Sequence, residues 1–298
     1  MILGMHRSGT SAVTRLVNLV GPSVCVRGDL LMGTSSNVKG FWESTSLIKL
    51  NDELLADSDH SWWYPPSIDD LRRWEPGVDR ATVNGARAVF DRAHPSEPWV
   101  WKDPRTCLTL SFWRRTLAQR VAGVVVYRNP LDVARSLERR NLMSVEFGLA
   151  LWMRYTRALI EQAGGMPLMV SNYDDILEDP EAWSAIARGF LGDLGMAVDA
   201  TVDGASIREF VNPKLRHNAH SPPDRGATAD LFDALRSLDG VHSSFVVPSL
   251  DDEAPWIGEQ FAAVGPEWHS TWKDPSSSPP TIGQRLRVLM KRASFVGR

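Results

Sequence analysis

Up to about residue 220 the chain alternates short apolar runs with longer segments whose apolar residues recur at helical spacing. This alternation restricts the fold more than any other feature of the sequence. Runs of buried-strand type lie at Met1 to Gly4, Trp99 to Trp101, Gly123 to Tyr127 and Leu168 to Val170. Helices are expected over Ser11 to Val20, Ser46 to Ala56, Val78 to Ala93, Cys107 to Ala118, Leu131 to Arg140, Val145 to Ala163 and Glu181 to Leu194. Ser144 can cap the sixth of these, Gly164-Gly165 can close it, and Pro180 stands in the first turn of the seventh. The pattern predicts an α/β fold with a central, mostly parallel sheet flanked by helices. No repeat of fixed period is visible, which removes solenoids and propellers.

Composition narrows the partners. The 298 residues carry 33 Lys plus Arg against 36 Asp plus Glu, a formal charge of −3, so no global basic field exists to hold nucleic acid. Two cysteines, Cys25 and Cys107, cannot build a disulfide framework, and neither has the spacing of a zinc site. Met1-Ile2-Leu3-Gly4 is too short for a signal-peptide apolar region, and no run of eighteen apolar residues occurs, so a cytoplasmic protein is expected. The 12 Trp residues are a heavy load of flat apolar surface. Trp62, Trp63 and Trp74 surround a Pro65-Pro66 turn and suit either core packing or a platform for a sugar or aromatic ligand.

Composition shifts at His220-Ser221-Pro222-Pro223 and again at Asp274 to Pro280. The expected division is a catalytic domain over 1–221 and a C-terminal extension over 222–298 with linkers. Its last segment, 281–298, reads as a basic amphipathic helix, with Ile282, Leu286, Leu289 and Ala293 at helical spacing among Arg285, Arg287, Lys291 and Arg292. Such a helix suits peripheral contact with a membrane surface, contact with a partner, or docking on the acidic stretch that precedes it.

The sharpest chemical signal follows the first strand. Met5-His6-Arg7-Ser8-Gly9-Thr10-Ser11 joins that strand to the helix bearing Val13, Leu16, Val17 and Val20. A Gly-containing turn there presents backbone N–H groups at a positive helix end, a cradle for an anion. The spacing Gly4 to Gly9 matches the phosphate loop of nucleotide triphosphatases, but Thr10 stands where that loop needs Lys. Arg7 lies inside the loop instead. A second candidate follows Gly123 to Tyr127: Arg128-Asn129-Pro130 and a helix with Asp132, Arg135 and Ser136. Arg128 at the strand end and Ser136 on the second turn can converge on one anion.

His6-Arg7-Ser8-Gly9-Thr10-Ser11 resembles the 5′-phosphosulfate loop of sulfotransferases that use 3′-phosphoadenosine 5′-phosphosulfate (PAPS), whose commoner form has Lys where Arg7 stands. Arg128 and Ser136, with Asn129-Pro130 and Asp132-Val133 between them, resemble the motif that grips the 3′-phosphate in that family. The resemblance spans roughly residues 1 to 218. It implies a P-loop NTPase-like sulfotransferase fold and transfer of a sulfuryl group from PAPS to a hydroxyl on a small molecule, natural product, glycan or glycolipid. It also implies that Tyr173, in Ser171-Asn172-Tyr173-Asp174, approaches the adenosine, and that Arg216, with Lys214, closes over the nucleotide.

Sulfuryl transfer needs a base near the acceptor oxygen and cations on the developing charge, and in principle no metal. Asn37-Val38-Lys39-Gly40-Phe41-Trp42-Glu43 resembles a segment in which a Glu faces the acceptor, making Glu43 the first candidate base, against a plain helix-flanking role. Val100-Trp101-Lys102-Asp103-Pro104-Arg105 puts Lys102, Asp103 and Arg105 near the same cleft. Pro104 occupies the place where soluble small-molecule members carry a His base. Lys102 would then assist the sulfuryl oxygens, and Asp103 would be either a second base or the ion-pair partner of Arg105. Two other readings stand beside this one: a small-molecule kinase using ATP and Mg²⁺, which has no use for the Arg128 and Ser136 pair, and a non-catalytic nucleotide-binding protein.

Overall fold

Strand placement follows from alternation on a sheet covered on both faces. The computed structural model describes residues 1–31, 33, 40–74, 79–117, 121–199, 204–211 and 226–264. Four strands, β1 (Ile2–Leu3), β2 (Gly123–Tyr127), β3 (Leu168–Asn172) and β4 (Gly240–His242), form one sheet in that order. β1, β2 and β3 are parallel, with Ile2 opposite Val124 and Val125 opposite Val170, while β4 closes the edge antiparallel to β3. Leu3, Val125, Tyr127, Leu168 and Val170 pack into one apolar cluster and Ile2, Val124, Val126 and Met169 into the other. Successive residues thus serve opposite faces.

The helices in chain order are α1 (Thr10–Leu19), α2 (Thr45–Ala56), α3 (Ile68–Trp74), α4 (Arg80–Ala93), α5 (Thr106–Leu117), α6 (Pro130–Asn141), α7 (Val145–Gln162), α8 (Tyr173–Glu178), α9 (Pro180–Asp193), α10 (Gly204–Phe210), α11 (Ala227–Ser237) and α12 (Pro255–Val264). The seven helices expected from periodicity are α1, α2, α4, α5, α6, α7 and α9. Ser144 caps α7 through Phe147 N–H at 3.1 Å, and Pro180 opens α9. α1, α8, α9 and α10 lie on the second face, α5, α7 and α11 on the first. Trp101, Trp113 and Trp152 are fully buried in the larger cluster, with Trp101 and Trp113 edge-to-face at 4.7 Å. The fourth expected strand, Trp99 to Trp101, takes a looser form. The chain there makes single bridges, Ser23 to Trp99 and Ile2 to Lys102, with Ile2 N–H donating to the Trp101 carbonyl at 2.9 Å.

The composition break at 221/222 is not a break in the core. Leu231, Phe232 and Leu235 of α11, Phe245, and Ile257 and Phe261 of α12 all belong to the larger cluster, and β4 extends the sheet. Arg154 on α7 pairs with Glu253 at 2.9 Å, donates to the Pro65 carbonyl at 3.0 Å and lies 4.1 Å over the Phe261 ring. The expected basic helix at 281–298 lies outside the described residues. Among the described residues, no helix is long and apolar enough to cross a membrane.

Candidate active site

Parallel strands end on the same side of a sheet, so the residues after 101, β1, β2 and β3 are delivered to one edge, where ligands of such sheets sit. The first loop is held in shape by crowding. A Cβ on Gly4 would fall 2.3 Å from the Val126 carbonyl oxygen, and one on Gly9 would fall 2.1 Å from the Tyr173 ring. Gly9 also takes φ 92° as the N-cap of α1, with no side chain capping the helix, so the first-turn N–H groups face the loop. Arg7 itself sits at φ 71°, a conformation that costs a non-glycine residue about 1–2 kcal/mol. Such strain persists where surrounding contacts over-determine it. Gly4 N–H donates to Cys107 Sγ at 3.1 Å, anchoring the loop's origin; Cys107 and Cys25 are both buried and free.

The second motif meets the first. Asn129 caps α6 through Leu131 N–H at 3.0 Å, and this turn places Arg128 at the sheet edge and Ser136 on the inner face of α6. Arg7 Nε donates to Ser136 Oγ at 2.9 Å. Arg128 donates from Nη2 to Asp132 at 3.4 Å and lies 5.6 Å over the Tyr173 ring, while its buried Nε has no partner among the described residues. Ser8 Oγ, also fully buried, has none either. Burial, and then the charges of Arg140, Arg128 and Arg139, push the Arg7 guanidinium down to about 10. Cations gathered so closely, with buried donors left over, define a site that gains by receiving an anion.

On the other side of the loop, Glu43 and Lys102 form a buried ion pair. Lys102 Nζ also donates to Ser11 Oγ at 3.2 Å, and Ser11 Oγ donates to the Phe41 carbonyl at 3.2 Å. Lys102 therefore stands between the anion loop and the Glu43 carboxylate. Burial holds the Glu43 carboxyl above the usual range; Lys102 opposes this and Asp103 adds to it. Ser44, not Glu43, is the N-cap of α2. Asp103 faces inward: it accepts from Asn51 at 2.9 Å and from Arg105 at 3.2 Å. Arg105 is gripped in turn by Asp52 at 2.6 Å. Asp103 is thereby placed as the ion-pair partner of Arg105, supporting the turn that carries Lys102.

The His6 ring lies against Trp62 and Tyr155, with ring centroids 5.1 and 5.7 Å away. Burial and the neighbouring Arg105, Arg140, Lys102 and Arg7 hold it well below the ordinary histidine value, so it is neutral. Trp62 shares one cleft with His6, Arg7, Glu43 and Lys102, and its carbonyl accepts from Tyr155 Oη at 2.6 Å. Thr10 and Ser11 line the same cleft, and Tyr173 covers Gly9. Arg216 and Lys214, and Asn37 to Lys39, lie outside the described residues. Arg140 and Asn141, at the end of α6, also line the cleft and were not singled out in the sequence. Arg140 lies one turn beyond Ser136, the one signal that could have placed it. No protein-family model matches the chain, and no curated protein matches it.

Proposed function

We propose that the protein is a PAPS-dependent sulfotransferase of the phosphate-loop α/β type. The observation that carries this reading is the Arg7–Ser136 hydrogen bond, which joins the loop after β1 to the motif after β2 with Arg128 alongside. Two anion-directed groups at adjacent strand ends suit a cofactor charged at both its 5′ and 3′ positions. The residues fit such a ligand: the Arg128 Nε and Ser8 Oγ are buried without a partner among the described residues, and the loop has only glycine's space at Gly9. Bound PAPS supplies an activated sulfuryl group and a phosphate leaving group.

The roles of the chain's own groups follow. Glu43 takes the proton from the acceptor hydroxyl as its oxygen bonds to sulfur and the bond from sulfur to the 5′-phosphate oxygen breaks. A carboxyl raised by burial is better matched to that task than an ordinary one. Lys102, between Ser11 and Glu43, is positioned to hold the sulfuryl oxygens, and Arg7 to offset charge growing on the leaving phosphate. Arg128 and Ser136 bind the 3′-phosphate, and Tyr173 flanks the nucleotide.

Thermal stabilisation by 3′-phosphoadenosine 5′-phosphate (PAP) tests the donor assignment. The expected result is stabilisation by PAP without metal, lost in Arg128→Ala, and transfer of labelled sulfate from PAPS to an extract. Stabilisation by ADP with Mg²⁺ alone would instead favour a kinase, and PAP binding without any transfer a nucleotide-binding protein.

A further inference from the structure

The last rung between β2 and β3 is polar. Tyr127 and Asn172 close these two strands and stand opposite each other in register, and both are buried. The Tyr127 hydroxyl donates to Asp239 Oδ2 at 2.8 Å, and the Asn172 side chain also hydrogen-bonds it. Burial, and then the Asp239 carboxylate, push the Tyr127 hydroxyl above its ordinary value, so it keeps its proton and stays a donor. Asp239 lies 112 positions further along the chain, between the end of α11 and the start of β4.

The residues just past this rung are the ones assigned to the nucleotide. Arg128 follows Tyr127 and Tyr173 follows Asn172, and the Arg128 guanidinium lies 5.6 Å over the Tyr173 ring. Successive residues of a strand face opposite sides. Tyr127 accordingly packs into the larger cluster, edge-to-face with Phe232 of α11 at 5.7 Å, and Tyr173 into the second. Asn172 also caps α8, the helix that Tyr173 begins, by accepting from Asp174 N–H at 2.9 Å. Beyond the last rung no ladder holds a strand, so the direction in which Arg128 and Tyr173 leave the sheet depends on how that rung is fixed. Asp239 fixes it from outside both strands, and the pairing of β4 with Leu168 to Val170 of β3 sets where Asp239 stands.

We propose that Asp239 is a positioning residue of the donor site: through Tyr127 and Asn172 it sets how Arg128 and Tyr173 meet the nucleotide. The identity of that nucleotide rests on the sulfotransferase reading. The stretch after the composition break thereby takes part in donor binding as well as in the core. Without the carboxylate, the Tyr127 hydroxyl loses its acceptor, and a buried hydroxyl left unpaired is costly enough to seek another. The Asn172 side-chain oxygen is one replacement, and taking it competes with the cap of α8. A shift at Tyr127 then reaches Tyr173 as well as Arg128.

Calorimetric titration of the full chain with PAP, and labelled-sulfate transfer at varied PAPS to a fixed amount of extract, test this. Asp239→Ala and Tyr127→Phe should each weaken PAP binding about threefold to tenfold, the range of one hydrogen bond. The KM for PAPS should rise to match, with kcat within about twofold, since the contact acts on binding. Asp239→Asn keeps a side-chain carbonyl for the Tyr127 hydroxyl and should restore PAP affinity to within about twofold of wild type. The double variant Asp239→Ala with Tyr127→Phe should be no weaker than either single one, because both break the same contact. A purely structural contact would lower the melting temperature of both variants without moving PAP affinity. That result overturns the proposal, as does a loss in Asp239→Ala that Asp239→Asn does not reverse. Failure of the wild type to bind PAP removes the donor reading and this role with it, whereas wild-type binding that is indifferent to the variants removes the role of Asp239 alone.

Discussion

Arg7 Nε and Ser136 Oγ, 129 positions apart in the chain, lie 2.9 Å apart in the fold. One belongs to the loop that opens α1, the other to the second turn of α6. The bond makes the two anion-directed segments a single surface, so a ligand contacting one is felt at the other.

Ser136→Ala should weaken PAP binding about tenfold and Arg128→Ala about a hundredfold or more, the second because a charge-assisted contact is lost. The Arg7 guanidinium, freed from Ser136, should keep part of its hold. Isothermal titration with PAP measures both. Comparable affinity in wild type and Arg128→Ala would remove the 3′-phosphate from this site.

Glu43→Gln should cut turnover by about 10²–10⁴ with PAP affinity retained, as expected for a general base. Because a general base works ionised and burial raises the Glu43 carboxyl, the proposed role predicts that kcat/KM falls as pH falls through a value above that of an ordinary glutamate. Lys102 opposes the rise, so Lys102→Met should move this acid limb to higher pH. A limb unmoved in Lys102→Met would show that another group titrates.

The same pair predicts a stability effect. Lys102→Met leaves a buried carboxylate without its partner, which costs about 3–5 kcal/mol near neutral pH. With the cation gone, the folded-state carboxyl is raised further above its unfolded value. The folded form then binds the proton more tightly, so the penalty shrinks as pH falls and grows as pH rises through the raised value. Urea melts across pH check the sign, and the double variant Glu43→Gln with Lys102→Met should recover part of the loss at neutral pH.

Gly9→Ala should abolish PAP binding and destabilise the fold. The left-handed backbone alone accounts for about 1–3 kcal/mol, and the new methyl would meet the Tyr173 ring. Adding Tyr173→Ala relieves the clash but not the backbone term, so the double variant should regain only part of the stability. Full recovery would assign the whole effect to the ring.

Removal of residues 226 onward should prevent stable folding rather than trim an extension, since α11, β4 and α12 close the larger core. Glu253→Gln, a milder change, should lower stability by about 1–3 kcal/mol through the Arg154 cluster. Circular dichroism melts distinguish these outcomes from an independent tail, for which neither change would register.

The sequence by itself determined seven of the helices, α1, α2, α4, α5, α6, α7 and α9, and the glycine-containing loop that opens α1, but not α3, α8, α10, α11 or α12. Apolar period, the Ser144 cap, Pro180 and the glycine of the loop act over a few residues, and local geometry converts them directly into structure. It also brought Arg7, Arg128 and Ser136 to notice, because each lies in a short motif after a strand. Tertiary structure alone decided what those groups touch. β4 is three residues long, with Val241 half exposed, and it is held by pairing with β3, so no local pattern announces it. Asp103 became a buried partner of Arg105 and Asn51, while Lys102, its neighbour in sequence, reached Glu43 and Ser11. Adjacent residues at a strand end point to opposite sides, and which side is core and which is cleft depends on α2 packing against α5. The buried amide of Asn141 has the same origin: its burial is set by elements far along the chain, and only the assembled cleft shows that no described residue completes its Nδ2.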